Sequence, residues 1–112
     1  MEKDEIIGKF AEAFGVKPQW HSYLAVPKDH IYATYFIPNV KFEGSDYYAQ
    51  FREYPLEIYV FYRNEMLDAD FEKEETFEDS IREIGEFEKA CGYDGTDKTF
   101  YTKYEFNLLE EY

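Results

Sequence analysis

Ile6, Ile7, Phe10, Ala13 and Phe14 recur at helical spacing, with Glu2, Asp4, Glu5, Lys9 and Glu12 on the opposite side. Gly15 and then Pro18 supply a stop, so residues 3–14 are expected to form an amphipathic helix. From Pro18 to Asp29 two prolines, a Trp and a His break any period, which predicts a covering segment with at most a short strand. Residues 31–37 are β-branched and aromatic and end at Pro38, the pattern of a strand. Phe42 to Asp46 reads as a loop. Tyr47 to Phe51 and Pro55 to Tyr62 read as two strand segments with a kink or bulge over Arg52 to Pro55.

Residues 67–84 switch back to helical spacing, with Leu67, Phe71, Phe77, Ile81 and Ile84 roughly on one side and Gly85 closing the helix. Two alternating runs, Phe87 to Tyr93 and Thr99 to Leu108, flank Asp94-Gly95-Thr96-Asp97, where Asp-Gly is a favoured turn pair; they predict a hairpin. The order is helix, two to three strands, helix, β-hairpin, without the regular spacing of a parallel sheet. The expected fold is α+β, a mainly antiparallel four- or five-stranded sheet with two helices, in a single domain over residues 1–112.

Charge alters this picture more than length does. The chain carries 25 acids against 12 bases, a net charge of −13, which makes free nucleic acid and anionic membranes poor partners. Aromatic residues make up 21% of the chain, enough to build a core despite that charge. Cys91 is the only cysteine, so no intramolecular disulfide forms and a reducing cytosol is suitable. The amino terminus has no basic region followed by an apolar run, so neither a signal peptide nor a membrane span is expected.

Between Glu65 and Glu88 lie eleven acids, opposed only by Lys73 and Arg82. As a helix this segment would carry one acid per roughly 3.3 Å, close to the phosphate spacing of one DNA strand. Asp70, Glu74, Glu75, Glu78 and Asp79 are the candidate acidic face. One reading is an acidic DNA mimic that occupies a restriction or CRISPR nuclease; the commoner use of such a run is a solvated helix face. Asp68, Asp70, Glu72 and Glu74 alternate like half a calcium loop, but Lys73 stands where the turn needs Gly and Asp79 where a bidentate Glu is usual. No metal is expected.

His21, His30 and Cys91 occupy no recognised catalytic or ligand spacing, and Cys91, on an alternating strand without basic neighbours, is expected to be a buried, inert thiol. The serines lack a nucleophile-elbow context and the glycines form no phosphate loop. Neither catalysis nor a cofactor is expected.

Aromatic placement is more informative. Ile31, Ala33, Tyr35, Ile37, Leu56, Ile58, Val60, Tyr62, Phe100, Tyr104, Phe106 and Leu108 share the expected core face. Tyr32, Phe36, Tyr59, Phe61 and Tyr101 fall on the other face, where a solvated sheet would carry polar residues. These five are the candidate protein interface. An aromatic pocket for a small ligand is the competing use of the same rings.

The run Gly-Ser-Asp-Tyr-Tyr at 44–48, the strand Tyr-Pro-Leu-Glu-Ile-Tyr-Val-Phe-Tyr at 54–62, the acidic helix, and the segment from Cys91 to Leu108 with its Tyr-Glu-Phe strand resemble small prophage tail-completion proteins. These belong to the tail terminator, or head-tail joining, family of long-tailed phages. The likeness covers roughly residues 20–108 in element order. Where that family often continues Thr-Asp-Lys-Lys, this chain has Arg63-Asn-Glu-Met-Leu. The resemblance implies an α+β subunit without catalysis that assembles, usually as a hexameric ring, with the tail tube and the head-neck connector. It would work in the host cytoplasm during assembly and then in the virion tail. A lumen lined by carboxylates would repel passing DNA phosphates.

Overall fold

A computed structural model of the chain describes residues 3–20, 30–37, 41–44, 49–82 and 85–111. The fold is α+β. The elements are α1 (Lys3–Phe14), β1 (Gln19–Trp20), β2 (Ile31–Phe36), β3 (Lys41–Gly44), β4 (Ala49–Arg63), α2 (Asp68–Ile81), β5 (Phe87–Asp94) and β6 (Thr99–Glu111). Among the described residues, no helix is long and apolar enough to cross a membrane.

Five strands lie side by side in the order β1-β2-β4-β6-β5, with β3 pairing the first part of β4 as a sixth strand. All pairings are antiparallel except the parallel edge pair of β1 and β2. Because β4 and β5 both run antiparallel to β6, they are parallel to one another, and α2 links them across the intervening strand. This is a split β-α-β unit.

The expected loop at Phe42 to Gly44 is strand β3, held by pairing Lys41 to Glu53 and Phe42 to Arg52. The expected break over Arg52 to Pro55 is likewise absent: β4 is one strand paired with β6 from Phe51–Glu111 to Arg63–Thr99. Pro55 falls between the stretch paired with β3 and that paired with β2, and the register irregularity sits instead at Glu43/Gly44. Ser45 to Tyr48, His21 and Ile84, on which parts of the sequence reading fall, lie outside the described residues.

Both helices cover one face of the sheet. From α1, Ile6, Phe10 and Phe14 enter the core; from α2, Phe77 and Ile81 join them over Leu56, Ile58, Val60, Tyr104 and Phe106. Phe10 stacks on Phe14 at 4.3 Å between centroids and meets Phe77 edge-on at 5.3 Å. Gly15, with φ of 73°, ends α1 in the left-handed cap that an L side chain disfavours, and its N–H bonds to the Ala11 carbonyl at 2.9 Å. The twelve core-face positions read from the sequence all lie in this cluster or pack against it.

Candidate functional site

Strand alternation sends Tyr32 and Phe36 from β2, Tyr59 and Phe61 from β4, and Tyr101 from β6 to the face opposite the helices, here called the outer face. Cross-strand register then brings the rings together. Tyr32 stacks on Phe61 at 4.9 Å, Phe36 on Tyr59 at 6.1 Å, and Tyr59 and Phe61 lie nearly parallel, 12° apart. Tyr101 is inclined by 48° and 49° to these two, which turns an aromatic sheet into a trough. All five sequence candidates are half-buried.

The trough has a volume of about 200 Å³ and is closed at one end by the β5–β6 turn with its Asp94 and Asp97. Asp94 Oδ1 accepts the Thr96 N–H at 2.9 Å and that of Asp97 at 3.4 Å, while Thr99 Oγ1 donates to the Asp97 carbonyl at 3.1 Å. Gly92 lies opposite Tyr101 on β5, and a Cβ there would run into Cζ and Oη of the ring. Replacing Gly92 with alanine should therefore unseat Tyr101 while changing stability by no more than about 1 kcal/mol, because the clash is with the free end of a side chain. NMR contacts between the rings of Tyr101 and Phe61 should vanish; if they persist, Gly92 does not set the trough.

Charged residues flank the rings. Lys103 Nζ bonds Glu57 Oε1 at 2.7 Å, approaches Glu105 Oε2 at 3.5 Å and sits 6.0 Å over the Tyr59 ring. The hydrogen bond to Glu57 holds the Lys103 ammonium above the usual lysine range, against a smaller opposing effect of burial. Arg63 places its guanidinium 5.8 Å over Tyr32. Burial first, then the charge of Glu57, pushes the Tyr59 phenol upward, so it stays neutral.

The second cluster lies under α2. Four positions face the sheet, Asp70, Glu74, Phe77 and Ile81, so the first two turns of the helix dock through carboxylates. Asp70 is 1% exposed; its Oδ2 accepts the Leu67 N–H at 2.8 Å, satisfying one free donor at the helix start, and lies 2.7 Å from His30 Nε2. Glu74 is 3% exposed. Its Oε2 accepts the Tyr62 hydroxyl at 2.5 Å and the Thr102 hydroxyl at 2.8 Å, and Lys89 Nζ sits 2.9 Å from Oε1. Glu78 Oε2 takes the Tyr104 hydroxyl at 3.1 Å and Lys89 at 3.1 Å. Burial opposes the Lys89 charge, yet the bonds to Glu74 and Glu78 win and raise its pKa.

The five acids expected on one solvated face are therefore divided. Asp70, Glu74 and the half-buried Glu78 turn to the sheet; Glu75 and Asp79 are exposed, Asp79 in a 3.2 Å pair with Arg82. Leu67 and Phe71, expected on the buried side, are exposed instead, because the sheet beneath that end presents hydroxyls and an ammonium that carboxylates satisfy and apolar side chains do not. With both oxygens of Glu74 engaged and the side chain shielded, this cluster fastens α2 and leaves no open position for a reactant. Cys91 is exposed, not buried, since β5 is an edge strand; its Sγ lies 3.7 Å from Thr102 Oγ1.

No family model and no curated protein matches the chain. Of the two clusters, the outer face holds a cavity open to another molecule, whereas the carboxylates of Asp70 and Glu74 are shielded beneath α2.

Among the described residues, no group of three or more His, Cys, Asp or Glu side chains could hold a metal ion. The sequence reading missed Asp94, Asp97, Gly92, Lys103 and Glu57 as companions of the aromatic face. Each was legible in principle: the turn pair fixes β5 against β6, and that register puts Gly92 beside Tyr101 and Lys103 between Tyr59 and Ala90, one diagonal step from Glu57.

Proposed function

We propose that this protein is a non-catalytic structural subunit of a phage tail that caps the tail tube and joins it to the head-neck complex. The observation that carries this reading is the outer face, where five aromatic side chains gather on the side of the sheet away from both helices. A surface of this kind suits the core of a protein interface, and the resemblance of residues 20–108 to tail-completion proteins supplies the partners: copies of the same chain in a ring, the tail tube and the connector. Assembly would take place in the host cytoplasm, and the mature protein would reside in the virion tail.

The alternative, an acidic DNA mimic, loses much of its charge to the fold. Along α2 the exposed acids reduce to Asp68, Glu72, Glu75 and Asp79, one per roughly 5.5 Å of helix, sparser than the phosphates of a single strand. Replacing Tyr59 and Phe61 together with aspartate in the phage that encodes the protein should yield overlong or headless tails by electron microscopy. Normal particles would overturn the tail reading. Binding to a basic nuclease that weakens steeply between about 50 and 200 mM salt would favour the mimic instead.

A further inference from the structure

The end of the trough nearest the β5–β6 turn has a composition that a general protein interface does not require. Aromatic faces from Tyr59, Phe61 and Tyr101 meet two carboxylates, Asp94 and Asp97, around about 200 Å³ of open space. Apolar partners gain nothing from carboxylates at the rim and lose their hydration. A cation gains from both, through the electron-rich ring faces and through direct charge pairing. Among the described residues neither oxygen of the Asp97 side chain is engaged, and Asp94 uses Oδ1 within its own turn, leaving Oδ2.

Shape narrows the cation. The rings form an open V with Tyr101 inclined about 49° to Phe61, not a closed box, so a flat group that slides along one ring suits it better than a compact sphere. A guanidinium is flat, stacks on aromatic faces and bonds a carboxylate through two parallel N–H groups. The outer face already accepts one, since the guanidinium of Arg63 lies over Tyr32 at the trough's edge. With a net charge of −13, the protein also draws basic segments toward it from a distance.

We propose that this trough binds the guanidinium of an arginine presented by a basic segment of a partner protein, with Phe61 and Tyr101 contacting its faces and Asp97 pairing with its edge. The inference deepens the reading of the outer face as a protein-binding surface and rests on it. Gly92 serves the site by giving the Tyr101 ring its seat.

The probe is N-acetyl-arginine amide, titrated into the whole protein and followed by amide NMR shifts, with the neutral citrulline analogue and the lysine analogue as controls. Saturable shifts are expected at Gly92, Asp97, Thr99 and Tyr101, with citrulline at least about tenfold weaker and lysine about threefold weaker. Asp97→Asn, on an exposed turn, should weaken arginine binding about threefold or more at an unchanged melting temperature, and Tyr101→Leu should do the same through loss of a ring face. Equal shifts from citrulline, equal binding of lysine, indifference to Asp97→Asn, or shifts centred on Glu72, Glu75 and Asp79 would each overturn the site. The two readings fail separately. Normal virions from the Tyr59 and Phe61 variant would remove the tail role and leave a measured arginine site standing, whereas absent arginine shifts would remove the site alone.

Discussion

Replacing Glu74 with alanine should cost about 3–5 kcal/mol of stability, roughly 12–20 °C in melting temperature for a chain of this size. The change strands three partners at once: the hydroxyls of Tyr62 and Thr102, both fully buried, and the ammonium of Lys89. None has water to turn to except Lys89, whose side chain is 32% exposed and which keeps Glu78 at 3.1 Å. Glu75→Ala, one residue on and facing solvent, should stay within about 0.5 kcal/mol. Urea unfolding of the two variants side by side decides the matter. If they cost the same, the buried carboxylate does not fasten the helix. Combining Glu74→Leu with Lys89→Met should recover part of the loss, because removing both charges leaves less unpaired than removing one.

That carboxylate anchor also marks where sequence reading stopped. The limits of α1 follow from Ile6, Phe10 and Phe14 at helical spacing and from Gly15, and the hairpin from Asp94-Gly95; both arise from local chemistry and were legible. So was the division of Tyr59 and Phe61 from Ile58, Val60 and Tyr62, which needs only strand alternation. The rotation of α2 is different. Its pattern of Leu67, Phe71, Phe77 and Ile81 favours an apolar face, and only the sheet beneath overrides it. Two signals were present: Thr102 interrupts the apolar series Phe100, Tyr104, Phe106, and Lys89 stands at an inward position of β5 opposite Tyr104. Polar residues at core positions require polar partners, and the acids of α2 were the available ones. Strand β3 was illegible for another reason: beside Gly44 and Ser45 it has no pattern of its own, and its extended state depends on pairing with β4.

Raising the pH from 9 to 11.5 should unfold the protein more steeply than the content of tyrosine alone suggests. Burial, and after it the hydrogen bond to Glu74, pushes the Tyr62 phenol far above its ordinary value of 10.0; burial, and then the charges of Glu74 and Glu78, does the same to Tyr104. Above pH 10 the unfolded chain gives up both protons and the folded chain keeps them. The folded state therefore binds more protons, and stability falls as pH rises, by about 2.7 kcal/mol per pH unit once both groups contribute. Lys89 adds in the same direction: its raised pKa gives a contribution complete below the ordinary lysine value of 10.5 and lost as pH climbs through the higher folded value. Below pH 9 none of the three titrates in either state, so they leave stability level there. Urea midpoints measured from pH 8 to 11, together with phenolate absorbance, test this directly. Among the described tyrosines, Tyr62 and Tyr104 should withhold their absorbance until the chain unfolds. Tyr62→Phe should reduce the alkaline slope by about 1.4 kcal/mol per pH unit; a smooth titration of all twelve tyrosines near pH 10 with the fold intact would show that the phenols under α2 are not sealed by its carboxylates.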